Sequence, residues 1–190
     1  IDSEEINAFA APGGIIGVTT GLFLNANSEA EFASVMGHEI AHVSQRHFAR
    51  GVDEAQTGRV GHLASLLASV LVMATSDGGH GAAALGAVQG LAMDRQLRFS
   101  RSNEQEADRI GQDTLYNAGF DPSAQARMYE RLLAANRFGR RPPEFLLTHP
   151  LTESRISDSR ARASRYPLHD YAPSLNYQIM RARVIGHYAQ

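Results

Sequence analysis

Two imidazoles four residues apart flank a carboxylate in the run His38-Glu39-Ile40-Ala41-His42. At 3.6 residues per helical turn the histidines fall roughly 40° apart on one face, so both rings can reach one metal ion while Glu39 stands beside it without binding. That arrangement suits metal-assisted hydrolysis of a carbonyl compound such as a peptide. A zinc ion polarises the carbonyl and acidifies a water, and the free carboxylate takes the proton. Catalytic zinc usually keeps three protein ligands and one open position, so a third ligand is expected downstream. Glu104, in Asn103-Glu104-Gln105-Glu106-Ala107-Asp108, is the best candidate. Glu104 and Asp108 share a helix face, which lets Glu104 bind the metal while Asp108 accepts a hydrogen bond from the back of a ligand imidazole. Without the histidine motif the same Glu/Asp pair would read as a solvated face.

Helices must position these residues. Ser28-Glu29-Ala30-Glu31 is a capping box that opens a helix through Phe32, Val35, Met36, Ile40 and Val43 to a stop near Gly51. Ser102 with Gln105 repeats the pattern and opens a helix ending at Gly119, and Asp121-Pro122 caps the next, to about Gly139. Between the two motifs, helices are expected over 61–74 and 82–99, separated by a mobile glycine-rich loop at 76–81. Arg140-Arg141-Pro142-Pro143 reads as a break, and Pro150-Leu151-Thr152 introduces a helix over 153–165. Ahead of all these, turn signals at Pro12-Gly13-Gly14 and Gly21 frame short strands at 15–19 and 22–24. Asn7-Ala8-Phe9-Ala10 is either an edge strand that pairs with an extended peptide or a core strand. The last segment, 174–190, carries an apolar helical stripe at Leu175, Ile179, Ala182 and Ile185. A lone amphipathic helix cannot bury its own face, so residues 171–190 are expected to open a truncated helical-repeat region after a catalytic domain at 1–170.

With 190 residues, 43% of them apolar, the chain fits one domain plus a fragment of another. A net charge of -2 and a pI near 6.5 give no sign of nucleic acid or an anionic membrane surface as main partner. The absence of cysteine excludes disulfides and thiolate ligands and leaves His, Asp and Glu for a metal site. No basic-then-apolar leader precedes Ile1, which reads as a processed or excised chain. The most apolar run, 62–75, holds about 12 residues that would make a helix of roughly 18 Å against a bilayer core of about 30 Å; it reads as buried rather than membrane-spanning, with peripheral membrane contact left open.

Four motifs in order carry a family likeness: Asn7-Ala8-Phe9-Ala10-Ala11-Pro12-Gly13-Gly14; His38-Glu39-Ile40-Ala41-His42 with Arg46-His47; Ser100-Arg101 ahead of Glu104-Gln105-Glu106-Ala107-Asp108-Arg109-Ile110-Gly111; and Thr148-His149-Pro150 through Arg155. Over nearly its whole length the chain resembles the gluzincin zinc metallopeptidases that include HtpX, the CAAX prenyl protease and the periplasmic protease-chaperone BepA, and most of all the BepA-like periplasmic members. The resemblance implies an α+β, predominantly helical zincin domain with a small N-terminal β-sheet, followed by tetratricopeptide repeats. It implies one Zn2+ per chain on His38, His42 and Glu104, with Glu39 as general base. His149 and Arg155 fall where the family places donors to the oxyanion. Unfolded or misassembled envelope proteins are the implied substrates, the periplasm the implied location, and outer-membrane assembly machinery an implied partner. Coordination counting adds one hypothesis: if His149 also ligates, three ligands become four, and the loop at 147–151 can plug the site. The alternative is a chaperone or assembly scaffold with a normally closed zinc site. His47, five residues past His42 and about 140° around the helix, reads as structural, and His62, His80, His169 and His187 lack ligand spacing, although His80 in the glycine loop could approach.

Overall fold

Gly13 and Gly14, at φ 90° and 79°, occupy the left-handed region that L side chains avoid, and they let the chain reverse just after Pro12. The result is an antiparallel pair, β1 (Ala8–Ala11) and β2 (Ile15–Val18), in register from Ala8 opposite Val18 to Ala11 opposite Ile15. The computed structural model describes residues 1–75, 79–139, 141–167 and 169–188. Among them, everything beyond this hairpin that is regular is helical, so the expected class, mainly helical α+β with a small N-terminal sheet, is the observed one.

The expected strand at 22–24 is instead a helix, α1 (Thr20–Asn25). Thr19 caps it, accepting from the Leu22 amide. Gly21 lets the backbone of the first residues pass so close that a Cβ would stand 2.2 Å from the Glu4 carbonyl oxygen. Helix α2 (Glu29–Ser44) starts as expected: Ser28 Oγ accepts from the Glu31 amide at 3.2 Å, while the Glu31 carboxylate reaches back to the Asn27 amide at 2.9 Å. It stops short of Gly51, because Arg46 turns left-handed (φ 55°) and α3 (His47–Thr75) begins there. The helix expected over 61–74 is therefore part of a longer one.

Helix α4 (Gly79–Asn117) runs unbroken where two helices had been expected, with Ser102 inside it. No Gly or Pro occurs between Leu91 and Ile110, so the second capping box has no chain break to cap. Residues 76–78 of the expected glycine loop lie outside the described set, and Gly79 already belongs to the helix. The helix ends through Gly119 (φ 85°), with Gly119 N bonded to Tyr116 O and Phe120 N to Leu115 O. Then come α5 (Ala124–Phe138), a short α6 (Glu144–Thr148) unforeseen between the proline-rich break and Pro150, α7 (Glu153–Ala163) capped by Thr152, and α8 (Leu175–Tyr188).

The chain forms two compact units, 1–45 with 104–190, and 46–103. The core of the first gathers Ala8, Leu22, Val35, Met128, Tyr129, Leu132, Phe145 and Ile156 from β1, α1, α2, α5, α6 and α7. Burying each large side chain contributes about 1.5–3 kcal/mol. Where α2 passes the C-terminal part of α4, a Cβ on Gly37 would lie 2.8 Å from the Gly111 carbonyl oxygen, and one on Gly111 2.9 Å from the His38 amide nitrogen. Two glycines thus set how near the two helices come, one residue from His38. At the end of the same unit, α8 lays Tyr177 on Phe23, donates from its hydroxyl to the Phe23 carbonyl at 3.1 Å, and sends Arg181 to the Leu24 carbonyl at 2.8 Å.

Candidate metal centre

The buried stripe of α2 is not apolar throughout: it runs Ser34, Val35, His38, Glu39 and Ala41. His38 is fully buried and Glu39 is 1% exposed, a placement that polar side chains tolerate only with a partner. Helix α4 brings Glu104 to the two α2 histidines, and the turn after α6 brings His149, whose ring stacks on Phe145 with centroids 4.6 Å apart. One potential ligand atom from each of His38, His42, Glu104 and His149 lies within 4.8 Å of the others. All four belong to the first unit.

The individual distances are His42 Nε2 to His38 Nε2 3.1 Å, His38 Nε2 to His149 Nδ1 3.3 Å, His42 Nε2 to Glu104 Oε1 3.3 Å, His38 Nε2 to Glu104 Oε2 3.4 Å and His149 Nδ1 to Glu104 Oε1 3.0 Å. Ligands about 2.0–2.1 Å from a tetrahedral ion stand roughly 3.3 Å from one another, so these spacings are close to the edges of a zinc polyhedron. A second observation agrees. Both Glu39 carboxylate oxygens are buried without a hydrogen-bond partner, and the nearest described cationic candidate is His149 Nε2, 3.5 Å from Oε1. Three imidazoles, a carboxylate and an unsatisfied carboxylate beside them suit a divalent cation with a water or substrate oxygen.

Behind His38, Asp108 Oδ1 stands 3.1 Å from Nδ1. Arg155 grips Asp108 with Nε and Nη2, each at 2.7 Å, and extends Nη1 to Glu104 at 3.0 Å and to the Pro150 carbonyl at 2.7 Å. All three guanidinium nitrogens are engaged, tying α4, α7 and the His149 segment together. Tyr129, 1% exposed on α5, donates its hydroxyl to Asp108 Oδ1 at 2.5 Å and lies 3.4 Å from His38 Nδ1. Gln125 in turn donates to the Tyr129 hydroxyl at 3.1 Å.

These contacts set the charges. Burial disfavours a charged His38, yet hydrogen bonds to Asp108 and Glu104 outweigh it and raise the pKa to about 9. Burial wins at His42, helped by its neighbouring imidazoles against Glu104, and takes it down to about 4. Burial pushes Glu104 and Asp108 upward, but the histidines around Glu104, and Arg155 with His38 around Asp108, hold both well below the usual carboxylate range. Burial first, then the negative Asp108, drives the Tyr129 phenol far up, which keeps it a donor.

Every residue singled out in sequence for the site, His38, Glu39, His42, Glu104, Asp108, His149 and Arg155, is in this one cluster. Among the described side chains His47, His169 and His187 are outside it, and the side chains of His62 and His80 lie outside the described set. Tyr129 and Gln125 were missed. Tyr129 sits in the apolar series Ala126, Met128, Tyr129 and Leu132 and reads as core; the only signal was that a buried phenol needs an acceptor.

The sequence profile of peptidase family M48 matches residues 1–163. The chain is similar to the putative beta-barrel assembly-enhancing protease of Vibrio cholerae, 48% identical over 189 residues that cover 100% of this chain and 39% of that protein. It is 43% identical over 192 residues to the beta-barrel assembly-enhancing protease of Escherichia coli K12, covering 99% and 38%. It is 35% identical over 159 residues to the mitochondrial metalloendopeptidase OMA1 of Arabidopsis thaliana, covering 82% and 29%. The chain spans at most 39% of the length of these curated relatives.

Proposed function

The chain belongs to peptidase family M48, and from that membership we propose that it is a zinc-dependent endopeptidase that cleaves unfolded or misassembled envelope proteins. The observation that carries the reading is the convergence of His38, His42, Glu104 and His149 beside an unsatisfied Glu39. His38, His42 and Glu104 would hold the zinc, which when bound supplies Lewis acidity toward a carbonyl and lowers the pKa of a water. Glu39 takes the proton of the attacking water on a carboxylate oxygen and returns it to the leaving amine nitrogen. Asp108 orients His38 through Nδ1, and Arg155 holds Asp108 and Glu104 in place. Because Arg155 is fully engaged, the oxyanion donor on this side is His149, once its ring leaves the cluster, with Arg155 reaching the oxyanion only if it releases Pro150.

In the conformation described, His149 stands where a fourth ligand would, which supports a latent site plugged by residues 147–151. If the open form is populated to roughly a tenth, His149→Ala tightens binding of a zinc-directed hydroxamate about tenfold. Unchanged hydroxamate affinity would remove the plug from the account.

The names of the bacterial relatives, which speak of beta-barrel assembly, support action in the periplasm near outer-membrane assembly machinery. Family membership does not favour the scaffold reading. Among the described residues no helix is long and apolar enough to cross a membrane. The outer edge of β1 offers an extended substrate a strand to pair with, and α8 would be the first helix of a tetratricopeptide region. Incubation with unfolded casein tests the activity: zinc-dependent, chelator-sensitive internal cleavage that spares a tightly folded protein is expected, and casein left intact by the zinc-loaded parent chain on prolonged incubation contradicts it.

A further inference from the structure

Residues 60–93 contain one formal charge, Asp77, in a chain that otherwise carries a charge about every fourth residue. A run this apolar is ordinarily interior. Here the described side chains are not: Leu63 is 60% exposed, Leu67 71%, Leu91 67% and Met93 59%. On α3 the exposed apolar residues Phe48, Val52, Leu63 and Leu67 fall within about 100° of one another at helical spacing, a single stripe. On α4, Gly86, Ala87, Gln89, Gly90, Leu91, Ala92 and Met93 are all exposed, with one polar side chain among them. A helix apolar on every side belongs against protein or lipid rather than water.

Charge decides between those covers. The unit 46–103 holds six arginines against four acidic groups, whereas the rest of the chain holds twelve against sixteen. The net charge of -2 therefore conceals a basic unit in an acidic chain. Its cations flank the apolar run: Arg46, Arg50 and Arg59 precede it, and Arg95, Arg98 and Arg101 follow. Every cation in the chain is arginine, whose planar fork suits phosphate oxygens. An apolar segment bounded by arginines, with no described helical stretch long and apolar enough to cross a membrane, matches an element lying in the headgroup region of an anionic bilayer.

We propose that the 46–103 unit docks onto the surface of an anionic phospholipid bilayer, with Leu63, Leu67, Leu91 and Met93 entering the acyl boundary and exposed arginines such as Arg46 and Arg101 meeting lipid phosphates. This is independent of the peptidase chemistry, and it modifies the expectation, drawn from overall charge, that a membrane surface is not a main partner. Docking would hold the peptidase beside a membrane while its substrates pass.

Flotation of the whole chain with vesicles of phosphatidylethanolamine and phosphatidylglycerol tests it. The chain is expected to float with these vesicles and far less with pure phosphatidylcholine. The triple variant Leu63→Glu, Leu67→Glu, Leu91→Glu is expected to lose binding by at least tenfold, while its casein cleavage and zinc content match the parent. Because the chain has no cysteine, single labelling sites add a second reading. A polarity-sensitive dye on Leu67→Cys should shift blue on vesicle addition, and the same dye on Glu153→Cys in the other unit should not. Failure to float, equal flotation of the triple variant, equal dye shifts at both positions, or a concentration-dependent dimer that buries Leu67 without lipid would overturn the proposal.

Discussion

A proton on His38 and a metal compete for one buried ring. With a pKa raised to about 9, His38 is protonated at neutral pH in the metal-free chain, and zinc must displace that proton. His42, lowered to about 4, is already neutral and releases none. Zinc affinity should therefore climb from neutral pH to about 9 with roughly one proton released per metal, then flatten. Calorimetry in buffers of different ionisation enthalpy reads the proton count; affinity independent of pH over that range would contradict the assignment. Asp108→Asn replaces the charged acceptor behind His38 with a neutral amide and is expected to weaken zinc binding by ~10–100-fold in a chelator competition. Tyr129→Phe deletes one hydrogen bond to Asp108 and should cost less, about 0.5–1.5 kcal/mol in unfolding free energy. Residue chemistry was the most legible layer of this sequence, because ligand spacing on a helix is periodic. Tyr129 escaped because its role comes from α5 packing across α2 and α4, which no local pattern encodes.

At the scale of elements, caps were legible and helix lengths were not. Ser28 and Thr152 fold as N-caps, since a side chain and an amide three residues on decide that locally. Ser102 has the same local pattern but continues an existing helix, because nothing before it breaks the chain. The segment 22–24 looked like strand from its composition and lies in helix α1 because Thr19 caps it and Gly21 admits a passing backbone. The α2–α4 crossing at Gly37 and Gly111 was also invisible, since close approach is a property of two helices together. It has a measurable consequence. Gly111→Ala places a methyl against backbone atoms that cannot swing aside, so a loss of about 1–3 kcal/mol in denaturant unfolding is expected, together with weaker zinc binding as His38 moves relative to Glu104. A variant as stable and as zinc-avid as the parent would show that the crossing does not set the site.

For the whole molecule, a metal on the cluster would join elements far apart in sequence: α2, α4 and the turn after α6. Binding only to the folded form stabilises by about 2.7 kcal/mol at a hundredfold excess over Kd, so chelation should lower the thermal midpoint by roughly 5–10 °C and zinc should restore it. The family likeness read from four motifs extends over 1–163, while the division at 46 and 103 was not foreseen, because its second boundary falls inside α4 where the sequence changes character without a break. The claim uniting these scales is that a buried, unsatisfied Glu39 moves the proton in peptide hydrolysis beside a zinc held by His38, His42 and Glu104. Glu39→Gln tests it directly, with zinc content and casein cleavage measured on the same preparation: zinc retained near one per chain with cleavage reduced by at least ~100-fold is the expected result, and cleavage at the parent's rate would contradict the account.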